Sequence, residues 1–265
     1  MGVSNDIGFL KETRTLSSNN KKQLEKELSL QQNEMHRKIL QHAHENNLTK
    51  QKPSLMPIYD GVADIQAYIT SVPKIMWILK EPWHLFTANG KAKGGDWYFT
   101  EHFKNPDVWK DQDMWKLMIQ INYAIRNNLK WKELDYIEDN PEMVEELKKT
   151  AYINISKMPA DTFSPNNHMW GCYNIWKNIL FEQIEIYKPD VIIFGYTFQF
   201  FKEDLKITEK PIPTVSGKWN ADVYKKNNMI LIDAFHPSRK GGEDSGYDYV
   251  TSIINAYKKA LENNA

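Results

Sequence analysis

Four short runs of consecutive apolar residues punctuate the chain. They are Ile75-Met76-Trp77-Ile78-Leu79, the segment 151–155 around Tyr152-Ile153, Val191-Ile192-Ile193-Phe194, and Met229-Ile230-Leu231-Ile232. Runs of this length without alternation are the pattern of strands buried on both faces. Between them the apolar positions recur with helical spacing. Trp115, Met118, Ile119, Tyr123 and Ile125 mark a helix over 109–127, and further helices are predicted at 170–187 and 245–261. Shorter ones fit 62–71, 197–204 and 141–150, the last opening on Pro141, a residue suited to a first helical turn. Strands alternating with helices imply βαβ units and a parallel sheet. The expected fold is therefore α/β: a three-layer sandwich on a central four-stranded parallel sheet, with strands near 74–79, 151–155, 190–194 and 229–233. Residues 211–228 read as irregular, with a hairpin as the alternative.

The part before the first strand has a different texture. Residues 1–20 are polar, and 21–47 form a helix candidate with Leu24, Leu28, Met35 and Ile39 near one face. Such a helix either caps the main domain or meets a protein partner; packing on its own domain is favoured, because an isolated short helix is marginal in water. Residues 51–61, with Pro53 and Pro57, read as a linker. The expected division is a polar N-terminus and helical extension over 1–60 and an α/β domain over 61–265.

Composition narrows this picture rather than changing it. Apolar residues make up 41 % and charged residues 26 % of the 265, as in an ordinary globular protein. Lys plus Arg equal Asp plus Glu at 34 each, which argues against a uniformly basic nucleic-acid coat and leaves room for a local basic groove. No apolar run reaches membrane-spanning length and no secretory h-region opens the chain, so no membrane contact is expected. The lone Cys172 excludes an intramolecular disulfide and any multi-cysteine metal centre. It fits a reducing cytoplasm and reads as a small buried hydrophobe.

In open parallel sheets, ligands bind outside the carboxyl ends of the strands. There the first run is followed by Lys80-Glu81-Pro82-Trp83-His84, and the second ends in Asn154-Ile155-Ser156-Lys157. The third gives way to Gly195-Tyr196-Thr197, and the fourth to Asp233-Ala234-Phe235-His236-Pro237-Ser238-Arg239-Lys240-Gly241-Gly242. A carboxylate, two histidines, an asparagine and several cations thus converge on one edge. No Gly-x-Ser-x-Gly elbow and no Gly-x-x-x-x-Gly-Lys loop is present, which weighs against a serine hydrolase or a phosphate-loop enzyme. Glu81 and His84 are the nearest approach to metal-ligand spacing, so neither a metal nor another cofactor is expected.

These segments resemble the uracil-DNA glycosylase superfamily over about residues 73–262. Lys80-Glu81-Pro82-Trp83-His84 is similar to that family's Gln-Asp-Pro-Tyr-His motif. Asn154 stands where the family reads the edge of a flipped base, and His236-Pro237-Ser238 matches its final His-Pro-Ser. The trio Trp97-Tyr98-Phe99 lies at the distance of its stacking aromatic. The departures are Lys80 for glutamine, Glu81 for aspartate, Trp83 for tyrosine, and Arg239 where an apolar wedge is common.

The resemblance implies hydrolysis of the N-glycosidic bond of uracil or a related modified base in DNA, either single-stranded or with a flipped base. Glu81 would stabilise the oxocarbenium-like sugar and orient water, and His236 would stabilise the departing base. Lys80, Trp83, Phe99 and Asn154 would bind the base. His84, Ser238, Arg239 and Lys240 would take the nucleic-acid backbone. The alternative is a catalytically silent nucleic-acid or nucleotide binder on the same fold. Each residue also has an ordinary use: His236-Pro237 as a turn ending a strand, and Asn154 as a partner for backbone at the sheet edge.

Overall fold

The computed structural model describes residues 18–50, 55–82, 85–86, 92–93, 95–96, 98–160, 165–238 and 243–262. The chain is mixed α/β. Helix α1 (Ser18–Glu45) leads to the two-residue strand β1 (Gly61–Val62), helix α2 (Ile65–Thr70) and strand β2 (Ile75–Leu79). A two-residue pair, β3 (Leu85–Phe86) and β4 (Ala92–Lys93), forms a separate small sheet. Helices α3 (Phe99–His102), α4 (Val108–Asp111) and α5 (Asp113–Asn127) precede β5 (Ala151–Asn154). Then come α6 (Asn166–Tyr187), β6 (Val191–Gly195), α7 (Phe198–Phe201), β7 (Ile212–Ser216), β8 (Trp219–Lys226), β9 (Met229–Ala234) and α8 (Glu243–Glu262).

The main sheet has seven strands in the order β1-β5-β2-β6-β9-β8-β7. This corrects the four-stranded expectation. The four apolar runs form the block β5-β2-β6-β9, and each neighbouring pair in it is parallel. Antiparallel strands extend the block on both sides: β1 against β5, and the hairpin β7-β8 against β9. The hairpin was hard to read because it is only half buried. Strand β7 runs intermediate, exposed, buried, exposed, intermediate, with Pro213 inside it, and proline is tolerated at a sheet edge.

Two hydrophobic cores lie on the two faces of the sheet, as alternation along β2 shows. Ile75, Trp77 and Leu79 enter a core with residues of α5 and α8, whereas Met76 and Ile78 enter one with residues of α1 and α6. All five are buried, which is why the run carries no polar position. Helix α1 contributes Leu28, Met35, Ile39 and Ala43 to the second core. The linker expectation for 51–61 is also corrected where it can be checked. Leu55, Ile58, Tyr59 and Asp60 are buried, and the Ile58 amide donates to the Lys157 carbonyl at 2.8 Å. Pro141–Glu146 forms a 3₁₀ helix instead of an α-helix. A break at Gln112 divides the helix expected over 109–127 into α4 and α5.

Candidate functional site at the carboxyl edge

Register brings the four parallel strands to a common end. Leu79 pairs with Asn154, Ile78 with Phe194, and Gly195 with Ala234. Lys80 and Glu81, Ser156, Tyr196, and Phe235 and His236 therefore leave the sheet along one edge. The segment after β2 stays tied to the one after β5. Ser156 N donates to Lys80 O at 2.9 Å and Ala160 N to Pro82 O at 3.0 Å, which holds Glu81 at that edge.

Asn154 and His236 share a face. Asn154 follows Tyr152 by two residues and pairs with Leu79; both of those side chains enter the α5/α8 core. Gly195 lies level with them on the next strand. A Cβ at Gly195 would come within 2.8 Å of Leu79 Cδ2, 3.3 Å of Pro237 Cδ and 3.7 Å of His236 Cα. The His236-Pro237 turn therefore lies over β6 beside Gly195, where the tightest contact of an added Cβ would be with the Leu79 side chain. Two strand spacings of roughly 4.8 Å then separate the Asn154 and Gly195 backbones, a gap that a planar base can span.

The backbone of Asn154 is clamped by residues from distant segments. Its N–H donates to Asp60 Oδ2 at 2.7 Å, and its carbonyl accepts from Lys157 Nζ at 2.7 Å. Lys157 also donates to Asp60 Oδ2 at 2.8 Å and to Gln183 Oε1 at 2.7 Å, while Gln183 Nε2 donates to Asp60 Oδ1 at 2.7 Å. Asp60, Lys157 and Gln183 are all buried. Burial pulls the Lys157 ammonium down from its usual range, and Asp60 opposes that shift. Asn154 is buried, and among the described residues no side-chain hydrogen bond of its carboxamide is seen.

The His236 ring has a defined tautomer. Ser238 N–H donates to Nδ1 at 3.2 Å, and Ser238 Oγ lies 2.8 Å from the same nitrogen. An amide can only donate, so Nδ1 accepts, and the neutral ring carries its proton on Nε2. Tyr249 pins this turn by donating its hydroxyl to Phe235 O at 2.7 Å. Glu81 is half-buried, and its charge acts on Cys172 of α6. Burial pushes the Cys172 thiol up, a Ser156 hydrogen bond opposes this, and Glu81 adds to it. Cys172 Sγ lies 3.4 Å from His168 Nε2 one turn earlier. The thiol is only partly buried, so it is less of a core residue than expected.

The remaining expected residues divide clearly. Lys80 places its Nζ 4.8 Å from the centre of the Tyr196 ring, and Ser238 is exposed. Trp83, His84, Arg239, Lys240 and the side chain of Phe99 lie outside the described residues. Tyr98, from the aromatic trio, does not join His236. It stacks on Tyr59 at 4.8 Å and lines a cleft of about 830 Å³ between α1, β1 and α3. The polar groups of that cleft anchor α1: Gln32 exchanges two hydrogen bonds with the Val62 backbone, and His36 Nε2 donates to Asp60 O at 3.1 Å. The cleft is the seam that seats the helix on the sheet.

Asp233, near the end of β9, stands in the strand-end run of the sequence without an assigned role. Asp222 stands directly across from it on β8. Burial, and then the Asp222 charge, push the Asp233 carboxyl up to about 7, against the pull of Lys202. An unfolded aspartate titrates near pH 3.9, so between about pH 4 and 7 the folded chain holds a proton that the unfolded chain has released. The stability linked to this proton is present below about pH 4 and is lost as pH rises through 7. Asp233→Asn should raise stability at pH 8 by roughly 1–3 kcal/mol, with the gain vanishing toward pH 4. Urea midpoints at the two pH values measure this; an equal gain at both would contradict it.

Among the described residues, no group of three or more His, Cys, Asp or Glu could hold a metal ion, and no helix is long and apolar enough to cross a membrane. No family model matches the chain, and no curated protein matches it.

Proposed function

We propose that the carboxyl edge of this sheet receives a base extruded from DNA and hydrolyses its N-glycosidic bond, as a divergent DNA glycosylase with the three-layer architecture of the uracil-DNA glycosylase superfamily. The observation that carries this reading is the packing of the His236-Pro237 turn against Gly195. It sets the His236-Pro237 turn over β6, level with Asn154 and on the same face of the sheet. In that reading the Asn154 carboxamide pairs with the edge of the base, and His236 Nε2–H donates to the base oxygen as negative charge develops on it. The Glu81 carboxylate stabilises the cationic sugar and orients water. Lys80, Trp83 and Phe99 complete the base site. His84, Ser238, Arg239 and Lys240 take phosphates, so a DNA strand is the partner and a reducing cytoplasm the compartment.

A second reading has one observation in its favour. The charge of Glu81 acts on Cys172 of α6, a helix whose core lies on the face of the sheet opposite the core that Tyr152 and Leu79 enter. A carboxylate held there would bind beside a nucleotide without cutting it, and the protein would be a silent binder.

The test is the formation of alkali-labile sites in uracil-containing single strands, with Glu81→Gln as the control. Glycosylase action predicts strand breaks with the wild type and none with the variant. Binding without breaks in either protein would favour the silent reading.

A further inference from the structure

Beside His236, three aromatic rings stand in a row along the same edge. Tyr196, directly after β6, lies nearly parallel to Phe235, directly after β9, with an interplanar angle of 15° and centroids 6.1 Å apart. Phe235 in turn meets Trp219, at the start of β8, edge-on at 5.1 Å. An ammonium group sits at each end of the row: Lys80 Nζ lies 4.8 Å from the Tyr196 centroid, and Lys218 Nζ lies 5.4 Å from that of Trp219.

Tyr196 itself is out of keeping with a packing role. Its φ is +61°, in the left-handed region that bulky side chains rarely enter. Its ring is 39 % exposed and belongs to neither hydrophobic core. The backbone is held in this conformation by the Tyr196 amide, which donates to Ala234 O at 2.7 Å and to Phe194 O at 3.0 Å. A left-handed backbone that presents an exposed ring at a strand end marks Tyr196 as a candidate ligand contact. The acidic pair Asp222 and Asp233 does not oppose an anion there. Those residues alternate with Ala221 and Ala234, which enter the α5/α8 core that Trp219 and Phe235 pack against; the acidic pair therefore faces the opposite side.

We propose that Tyr196, with Phe235 and Lys80, forms a stacking platform for an unpaired nucleotide next to the one held at His236, so that the chain takes single-stranded DNA in preference to duplex. The inference rests on the reading of the edge as a DNA site and deepens it by naming the form of the substrate. Aromatic faces flanked by cations are the chemistry of single-strand binding, because every unpaired base offers a face and its phosphate offers a charge. In duplex those faces are covered by neighbouring bases. A base that stacks on Tyr196 would displace the Lys80 ammonium toward the adjoining phosphate.

The test is fluorescence anisotropy of the full chain with a short labelled oligothymidylate and with its matched duplex. Neither contains uracil, so the outcome does not depend on glycosylase activity. The wild type is expected to bind the single strand more tightly. Tyr196→Ala should weaken single-strand binding by about tenfold or more, and Tyr196→Phe, which keeps the ring, should retain it. Tyr196→Gly should weaken binding as alanine does while melting at the same or a higher temperature, since glycine accepts the left-handed φ; loss of binding then cannot be loss of fold. Lys80→Ala should lower the slope of log affinity against log salt by about one unit. The proposal is overturned if wild type binds no single strand or prefers duplex, if Tyr196→Ala binds as wild type does, or if Tyr196→Phe loses as much as Tyr196→Ala. Absence of base excision with these binding results intact would remove the glycosylase reading and leave the platform standing.

Discussion

Lys157→Met should destabilise the protein by about 3–5 kcal/mol, the usual effect of removing one partner from a buried ion pair. Lys157 and Asp60 are 0 % and 1 % exposed at their side chains. Without the ammonium, the Asp60 carboxylate would stay buried with, among the described residues, the Asn154 amide and the Gln183 carboxamide as its donors. The damage should not be confined to stability. Lys157 and Asp60 hold the two backbone polar groups of Asn154, so they fix where its side chain stands. Urea denaturation at neutral pH measures the stability change. A loss below about 1 kcal/mol would mean that the pair is solvated, and the clamp on Asn154 would then have to be abandoned. Replacing both charges by well-packed apolar residues should recover part of the loss, because the uncompensated charge is gone.

The second large effect is expected at the reacting groups. In single-turnover excision, Glu81→Gln should slow base release by about 10²–10⁴-fold, the range for a positioned acid or base. His236→Ala should slow it by about 10²–10³-fold, as for loss of one donor to a developing anion. Asn154→Ala should act mainly on the choice of base, since in the proposed reading its carboxamide meets the edge of the base and not the breaking bond. If His236→Ala left the rate unchanged while Glu81→Gln abolished it, the leaving base would need another donor, and the packing of the His236-Pro237 turn against Gly195 would lose its catalytic meaning.

The parts of this fold legible in the sequence are those where one residue's environment is set by its neighbours in the chain. Residues 75–79 announce a strand because every one of them is buried. The ends of the four parallel strands announce the edge because polar residues begin there abruptly. The hairpin 212–226 was harder to read, since its alternation is interrupted by Pro213 and by exposed Val215. Asp60 and Lys157 were missed for a different reason. They lie 97 positions apart, and a lysine in a polar stretch reads as solvated until its partner is known. Asn154 could be read as a partner for edge backbone; in the fold that work falls to Asp60 and Lys157. Tyr196 was in view at its strand end, but its left-handed backbone follows from the turn between β6 and α7 and carries no signal in a tyrosine.

The central claim is that Glu81, Asn154 and His236 act together on one extruded base, and the most direct measurement is the mass balance of the reaction. A uracil-containing single strand is incubated with the full chain in the presence of a chelator, and free base and abasic sites are counted together. The account predicts free base and abasic sites in equal amounts, undiminished by the chelator, and neither with Glu81→Gln. Wild-type protein that binds the strand yet releases no base, or that releases it only when a divalent ion is restored, would contradict it.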